Sequence, residues 1–563
     1  VFDFDPARTL TIYDEFANDL SKDTVDGHGT KDDRAKNIRR LLNFFPVIGE
    51  DSQGSMVELN AAQVLSIPRK LKSEEVVRRG FMSNFLFANI GRIFGAPQEV
   101  KDILDKLTPA KEEIHKEDHL DELTDGSVPV DENGQVDIPD EKIIGTAHDI
   151  FGPKIYDTMN EGIQDVVDSF HEMPKDEAAV ADKVDHLVHT TVETVTTSLI
   201  TPLAGQYHIP KSKTKQITRD VKNKIEITLQ KRKDDFLQNK RIAEAERDQK
   251  IREAETSENQ EKVLKDFEAR MKENEESFNQ GIHQDIQNIV QSQPVELVRR
   301  IEETKAEEAK DSIEDTVRDR LRGFSRTIPS FLMAYGDDQL TLANLDDYTE
   351  DDVFKEVTGI TEDEFRFLRD GGDCEDHETH EMKHFDGHLF DEVVFDDSIR
   401  QFMAKKKELA NYFEENQSED IFNYIPPQKT NQIFTPRWVV KKMVDLLEKE
   451  NPGCFDDDTK TFADLYMKSG MYITEIVKRL YNSPRMKTLY PDKEKRLNHI
   501  FAKQVYGLAP TKIIYRICCA YILGFSDKIS IKEDHIRLCD SQAYAEKGTL
   551  AMKLEELFPE LAK

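Results

Sequence analysis

TFADLYMKSGMYITEIVKRL (461–480), QVYGLAPTKIIYRICCAYILGF (504–525) and HIRLCDS (535–541) decide the fold of this 563-residue chain. Each opens on a short apolar run of strand length, at 461–466, 504–508 and 535–539. Two of these runs are followed by stretches with helical spacing. Tyr472, Ile473, Ile476, Val477 and Leu480 form the stripe of a helix over 471–481, and a second helix is expected over 510–525 with Pro510 at its start. A strand period giving way to a helical one, twice over, predicts β-α-β-α-β, half of a doubly wound parallel sheet. Ligands of such sheets bind outside the carboxyl ends of the strands. Those ends are Asp464, Gly507 and Asp540. Ser469 and Gly470 follow the first end, and small residues in such a turn let backbone N–H groups approach a ligand. Asp540 offers a carboxylate able to accept a hydrogen bond from an exocyclic amine.

Upstream, Thr435 is expected to cap a helix with Pro436 at its first position, and Val439, Val440, Met443, Val444 and Leu447 give that helix an apolar stripe. DIFNYIPPQKTNQIFTP (420–436) reads as a loop and domain boundary near Pro427. Residues 215–322 contain a single proline, Pro294, and are dense in Glu, Lys, Arg, Gln and Ala. Their sparse apolar positions (Ile225, Leu229, Phe236, Ile242) predict a long helical arm or antiparallel helical hairpin rather than a compact core. No strict heptad holds, so a parallel dimeric coiled coil is not expected. FMSNFLFANIGRIFG (81–95) reads as an apolar core helix, and Asn133-Gly134 as a two-residue hairpin turn in an acidic insertion. The expected class is mixed α and α/β: a largely helical N-terminal and central region followed by a partial Rossmann-like sheet. Four segments are expected, at 1–150, 151–325, 326–428 and 429–563.

The C-terminal segment resembles the amino-group DNA methyltransferases that use S-adenosylmethionine, particularly those fused to helicases in restriction-modification polypeptides. That family's cofactor pattern begins with Phe-Thr-Pro, standing here as Phe434-Thr435-Pro436. Its Asp-Pro-Ala-Cys-Gly-Ser-Gly turn corresponds to Asp464-Leu465-Tyr466-Met467-Lys468-Ser469-Gly470, with Tyr472 at the position of a family Phe. The resemblance implies that Phe434, Thr435, Pro436, Asp464, Lys468, Ser469, Gly470 and Asp540 cradle S-adenosylmethionine, with Lys468 paired to the cofactor's carboxylate. Two family elements are missing. The carboxylate that binds the ribose after the second strand is replaced by Leu508-Ala509-Pro510, and the catalytic Asn/Asp-Pro-Pro-Tyr/Phe that holds a flipped base occurs nowhere. Pro426-Pro427 is flanked by Ile425 and Gln428 and precedes the sheet.

Further upstream, VFDFDPARTLTIYDEF (1–16) and LLNFFPVIG (41–49) resemble the segment after the second motor domain of a restriction-enzyme helicase. GHLFDEVVFDDSIRQFMAKKKELANYF (387–413) resembles the coupler that joins motor to methyltransferase. No phosphate-binding Gly-x-x-x-x-Gly-Lys-Ser/Thr loop and no DEAD or DEAH box is present, so ATP and Mg²⁺ are expected only in a motor portion outside this chain. The chain is thus expected to be an internal piece of a restriction-modification enzyme that acts on double-stranded DNA, without methyl transfer of its own. The alternative is a non-catalytic coupler whose degenerate methyltransferase-like domain positions DNA or a partner subunit.

Composition narrows these classes. Net charge is −33, from 111 acidic against 78 basic residues, and such a surface repels polyphosphate overall. One local excess runs against this. Residues 211–240 carry ten bases and four acids, and Lys211, Lys213, Lys215, Arg219, Lys222, Lys231, Arg232 and Lys233 are the candidates for DNA contact. The competing reading is a solvated helix face. No apolar run is long enough to span a membrane, no secretory signal is present, and five cysteines form no disulfide pattern, so a cytoplasmic protein is expected. Cys374, His377, His380, His384 and His388 cluster, and on a helix the last three would share a face. Interleaved acids favour a polar surface loop instead, and no metal ligand is assigned.

Overall fold

The computed structural model describes residues 39–43, 48–50, 56–58, 60–110, 120, 128–131, 134–174, 176–375, 380–414, 419–427, 434–526 and 528–562. The chain forms two compact units, Val1–Ser127 with Ser312–Lys563, and Val128–Asp311. These bounds cut the chain differently from the four expected segments: the first two segments are each divided, and the last two fall in one unit. The N-terminal stretch 1–16 lies outside the described residues.

All described strands belong to the first unit. β1 (Ile48–Glu50) pairs antiparallel with β2 (Met56–Glu58), and β3 (Gly372–Glu375) pairs antiparallel with β4 (Met382–Phe385). The sheet near the C-terminus holds β5 (Phe462–Asp464), β6 (Val505–Ala509) and β7 (Ile536–Leu538) in that spatial order, all parallel. Helices Met471–Asn482, Pro484–Leu489 and Lys493–Lys503 connect β5 to β6, and helix Lys512–Leu523 connects β6 to β7. The expected β-α-β-α-β alternation is present. β6 is buried along its whole length, as a central parallel strand must be. β5 is an edge in the described sheet.

Element starts differ from expectation in instructive ways. The helix expected at Pro510 begins at Lys512, because Thr511 caps it by accepting a hydrogen bond from Ile514 N–H. The helix expected to be capped by Thr435 spans Arg437–Glu450, since Pro436 is still extended at ψ 141°. Residues 81–95 are core but not an α-helix. They form two single turns, Asn84–Leu86 and Ile90–Ile93, because Phe81 and Asn89 sit at φ 66° and 54°, outside helical space. Phe81, Leu86, Ile90 and Ile93 are nonetheless buried. Phe81 packs edge-on against Phe395 and Phe402 of helix Glu392–Leu409, at 6.1 and 6.3 Å.

That same helix supplies Lys406, whose ammonium donates to the carbonyls of Leu332, Met333 and Gly336 at 3.0, 3.0 and 3.3 Å. It thereby ties the end of helix Ile328–Tyr335, where the Leu332 carbonyl also accepts from Gly336 N–H at 3.1 Å, to helix Glu392–Leu409. Burial pushes its pKa down to about 8.

A half-buried acid is expected to make the first unit's stability pH-dependent. Glu362 opens helix Glu362–Asp370, and its half-buried carboxyl stands beside Asp351. Burial, then the neighbouring Asp351, push its carboxyl up to about 7 from an ordinary 4.5. The folded state therefore holds this proton where the unfolded state has released it, and stability falls as pH rises through that window. Glu362→Gln is expected to raise the unfolding midpoint at about pH 8 and leave it unchanged at about pH 4. Thermal melts at both pH values check this, and an equal shift at both would refute it.

The second unit is helical. Helices Asp140–Phe151, Ile155–Asp168 and Glu177–Val195 precede one π turn, Thr196–Ile200, and helix Thr201–Gln206. Helix Lys211–Glu253 and helix Ser257–Ser325, whose last residues belong to the first unit, form the expected antiparallel hairpin around the break at 254–256. Pairs Lys224–Glu296, Arg232–Asp285 and Arg270–Glu246 step down one helix as they step up the other. The expectation that this arm lacks a compact core is corrected. Ile225, Leu229 and Phe236 are buried with Phe278, Ile282, Val184 and Leu187 in one cluster, while Ile242 is exposed. Sparse apolar positions suffice because the shorter helices cover them. Of the expected hairpin turn, Asn133 lies outside the described residues, but Val130 bridges Val136 and Asp131 N–H donates to Gln135 at 2.8 Å. Among the described residues, no helix is long and apolar enough to cross a membrane.

Candidate functional site

The parallel register sets Asp464 beside Gly507, and Ala509 beside Leu538, so the three strand ends lie side by side. The segment after β5 then folds back over them. Met467 N–H donates to the carbonyl of Leu508 at 2.8 Å, and the Met467 side chain is wholly buried. A Cβ placed on Gly507 would lie 2.5 Å from the Met467 sulfur. Glycine in mid-strand marks a close approach. Here the group that approaches is a methionine of the same chain, whose side chain covers Gly507.

The neighbouring residues are likewise engaged in building the turn. Asp464 accepts from Tyr466 N–H at 3.2 Å, and burial pushes its carboxyl above the usual range. Ser469 is buried and accepts from Met471 N–H at 3.3 Å. The carbonyl of Lys468 accepts from the Cys518 thiol at 3.8 Å. Gly470 has φ 82°, and a Cβ there would meet Ile522 at 2.7 Å, so helix Lys512–Leu523 sits directly against it. Its glycine is required by backbone conformation and helix packing together.

Phe434, Thr435, Pro436 and Asp540 line cavities. Phe434, Thr435 and Pro436 line one of about 430 Å³, together with Asp420, Lys478 and Met471, the residue directly after Gly470. Phe434 is tilted against Phe422 at 4.7 Å, and Phe422 meets Tyr521 edge-on at 4.8 Å. Tyr521 donates to Asp420 at 3.2 Å, and burial pushes the Asp420 carboxyl up. Trp438, the only tryptophan, is 69% exposed at the rim. Asp540 lies instead on a cavity of about 560 Å³ with Pro510, Lys512, Asp352, Lys547 and Lys553. Its carboxylate caps helix Ser541–Glu546 by accepting from Gln542 N–H at 3.2 Å. The fold therefore joins the Phe-Thr-Pro element to the end of the small-residue turn and leaves Asp540 on another surface. Asp420 and Lys478 carried no signal in the sequence, since only folding brings residues so far apart in the chain onto one cavity.

The basic face of helix Lys211–Glu253 is partly committed. Lys213 pairs with Glu308 at 2.9 Å, Arg232 binds Asp285 through both Nε and Nη2 at 2.9 Å, and Lys233 lies 3.6 Å from Asp234. Lys211, Lys215, Arg219, Lys222 and Lys231 are exposed and outside these pairs. The histidine stretch is not helical. His384 lies on β4 with Nδ1 2.6 Å from Asp373, and His380 Nδ1 lies 2.9 Å from Glu375, while His377 is outside the described residues. All five cysteines are free thiols.

Comparison with known proteins finds no matching family model, no matching curated protein and no matching solved structure.

Proposed function

We propose that this chain acts in the cytoplasm as a coupler of a restriction-modification system, with a Rossmann-type, methyltransferase-like sheet serving as scaffold rather than as a working transferase. The observation that carries this reading is the buried Met467, whose sulfur lies over Gly507 beside the end of β5, on the side of the sheet's strand ends where nucleotide-like ligands of doubly wound folds bind. The absence of a carboxylate at Ala509-Pro510, after the second strand, supports the same reading. Titrating S-adenosylmethionine into the chain by calorimetry is expected to give no saturable binding below about 1 mM. Saturable binding that Asp464→Ala abolishes would overturn it. That outcome would favour the second reading, a working cofactor cleft, to which the shared cavity of Phe434, Thr435, Pro436 and Met471 is the supporting geometry.

Contact with double-stranded DNA belongs to the same proposal and rests on the exposed bases of helix Lys211–Glu253. With a net charge of −33, such contact is weak and disappears as salt rises. The double variant Lys215→Glu, Lys222→Glu is expected to abolish retention of a DNA duplex at low salt. Retention equal to that of the parent chain would remove this helix from the interface.

A further inference from the structure

We propose that Asp168, His171 and His283 form a binding site for a divalent ion of the zinc class, within the second unit. Their ligand atoms, one carboxylate oxygen and two imidazole nitrogens, all lie within 4.8 Å of one another. Asp168 is the last residue of helix Ile155–Asp168, and His171 closes the single turn Ser169–His171 that follows. His283 comes from helix Ser257–Ser325, far away in sequence. Its Nε2 stands 4.0 Å from the Asp168 carboxylate, and the two imidazole rings are 5.7 Å apart.

Three features make this more than a chance meeting of surface side chains. The first is the tautomer of His283. Its Nδ1 lies 2.8 Å from the carbonyl of Asn279. A carbonyl only accepts, so Nδ1 carries the proton. In the neutral ring Nε2 then holds the free lone pair, and Nε2 is the nitrogen turned toward Asp168. A backbone carbonyl on the far nitrogen is the usual support of a metal-ligating histidine. The second is the carboxylate. Gln164, one turn earlier, donates to Asp168 Oδ1 at 2.6 Å and so orients it. The third is the scaffold. Phe170, between Asp168 and His171, is wholly buried and packs on Phe278 at 5.8 Å. Lys183 donates to the carbonyls of Ser169 and Glu172, at 2.5 and 2.7 Å, and pins the turn that carries His171.

The donor set selects the ion. Two neutral imidazoles and one carboxylate suit Zn²⁺ and its neighbours, whereas Ca²⁺ and Mg²⁺ want oxygen ligands only. Bonds of about 2.0–2.2 Å in a tetrahedron put donors about 3.3 Å apart, so modest side-chain rotation closes the site. Asp168 and His171 are exposed, and water takes the remaining position. A bound ion would clamp the end of helix Ile155–Asp168 to helix Ser257–Ser325. This inference is independent of the methyltransferase-like sheet, which lies in the other unit.

The test uses the untagged, metal-free chain. Zn²⁺ is titrated against a chromophoric chelator, and Co²⁺ binding is followed by its visible absorption. One equivalent is expected to bind, with affinity reduced at least about 100-fold in His171→Ala and His283→Ala, and about 10-fold in Gln164→Ala. His384→Ala, on the β-hairpin of the other unit, is expected to leave it unchanged. Zn²⁺ is also expected to raise the unfolding midpoint of the parent chain but not that of Asp168→Asn, a variant close to isosteric. Failure to take up Zn²⁺ at micromolar concentration, or uptake that survives His283→Ala, would overturn the proposal.

Discussion

Gly323→Ala is expected to destabilise the first unit by roughly 3 kcal/mol, although alanine normally favours a helix by about 1 kcal/mol over glycine. Gly323 lies near the end of helix Ser257–Ser325. An added Cβ would fall on the carbonyl oxygen of Thr108 and 2.9 Å from its carbonyl carbon. The loop cannot retreat cheaply. Arg320 donates to the carbonyls of Asp105 and Leu107 at 3.0 and 2.9 Å, and Ala110 N–H donates to Asp319 at 3.1 Å. Moving the loop breaks these bonds, and leaving it in place forces a collision with backbone. The collision outweighs the propensity gain. Gly145, in helix Asp140–Phe151, is the control: nothing lies within 4 Å of its would-be Cβ. Gly145→Ala is expected to stabilise by about 0.5–1 kcal/mol. Urea denaturation, with the transitions of the two units resolved, compares them. A Gly323→Ala chain as stable as the parent would show that the helix end is not seated on this loop.

Phe365→Ala is expected to cost about 3–5 kcal/mol in the same unit. The ring is fully buried in helix Glu362–Asp370. It stacks on Phe324 at 5.3 Å and is tilted against Phe354 and Phe390 at 5.6 and 5.8 Å. Truncation removes ring contact on three sides, and the rigid neighbouring rings collapse poorly into the gap. The Arg369 guanidinium also sits 5.2 Å from this ring while pairing with the buried Asp346 at 2.6 Å. The substitution therefore loosens a buried ion pair as well. Phe365→Leu, which keeps most of the volume, is expected to cost about 1.5 kcal/mol or less. Calorimetric unfolding of both variants checks the ratio. Equal losses would mean that ring packing is not what matters there.

Much of the C-terminal sheet was legible in the chain because its signals are local. The runs at 461–466 and 535–539 enclose β5 and β7, the run at 504–508 covers all of β6 but Ala509, and the helices between them follow stripes such as Ile473, Ile476, Val477 and Leu480. The long helical hairpin was legible for the same reason. What failed depended on distant partners. FMSNFLFANIGRIFG has a helix's composition but contains Phe81 and Asn89 at positive φ, a choice made by its packing against Phe395 and Phe402. The histidine stretch reads as a polar surface loop, but His384 lies on a strand paired with Gly372–Glu375, and Gly371 and Gly387, at φ 75° and 68°, bring backbone together beside it where any side chain would collide.

The candidate site divides the same way. Phe434-Thr435-Pro436 and the turn at 464–470 could be picked out as residues, and the fold does bring Pro436 and Met471 to one cavity. That Met467 covers Gly507 could not be read, since a methionine's destination depends on which groove is open once the strands are paired. The sequence by itself determined the order of strands and helices, because periodicity and turn residues act within a few positions. Only the tertiary structure decided what the strand ends enclose and which histidines meet. Burial and convergence are properties of chain segments brought together from far apart, as His171 and His283 are, and no local pattern encodes them.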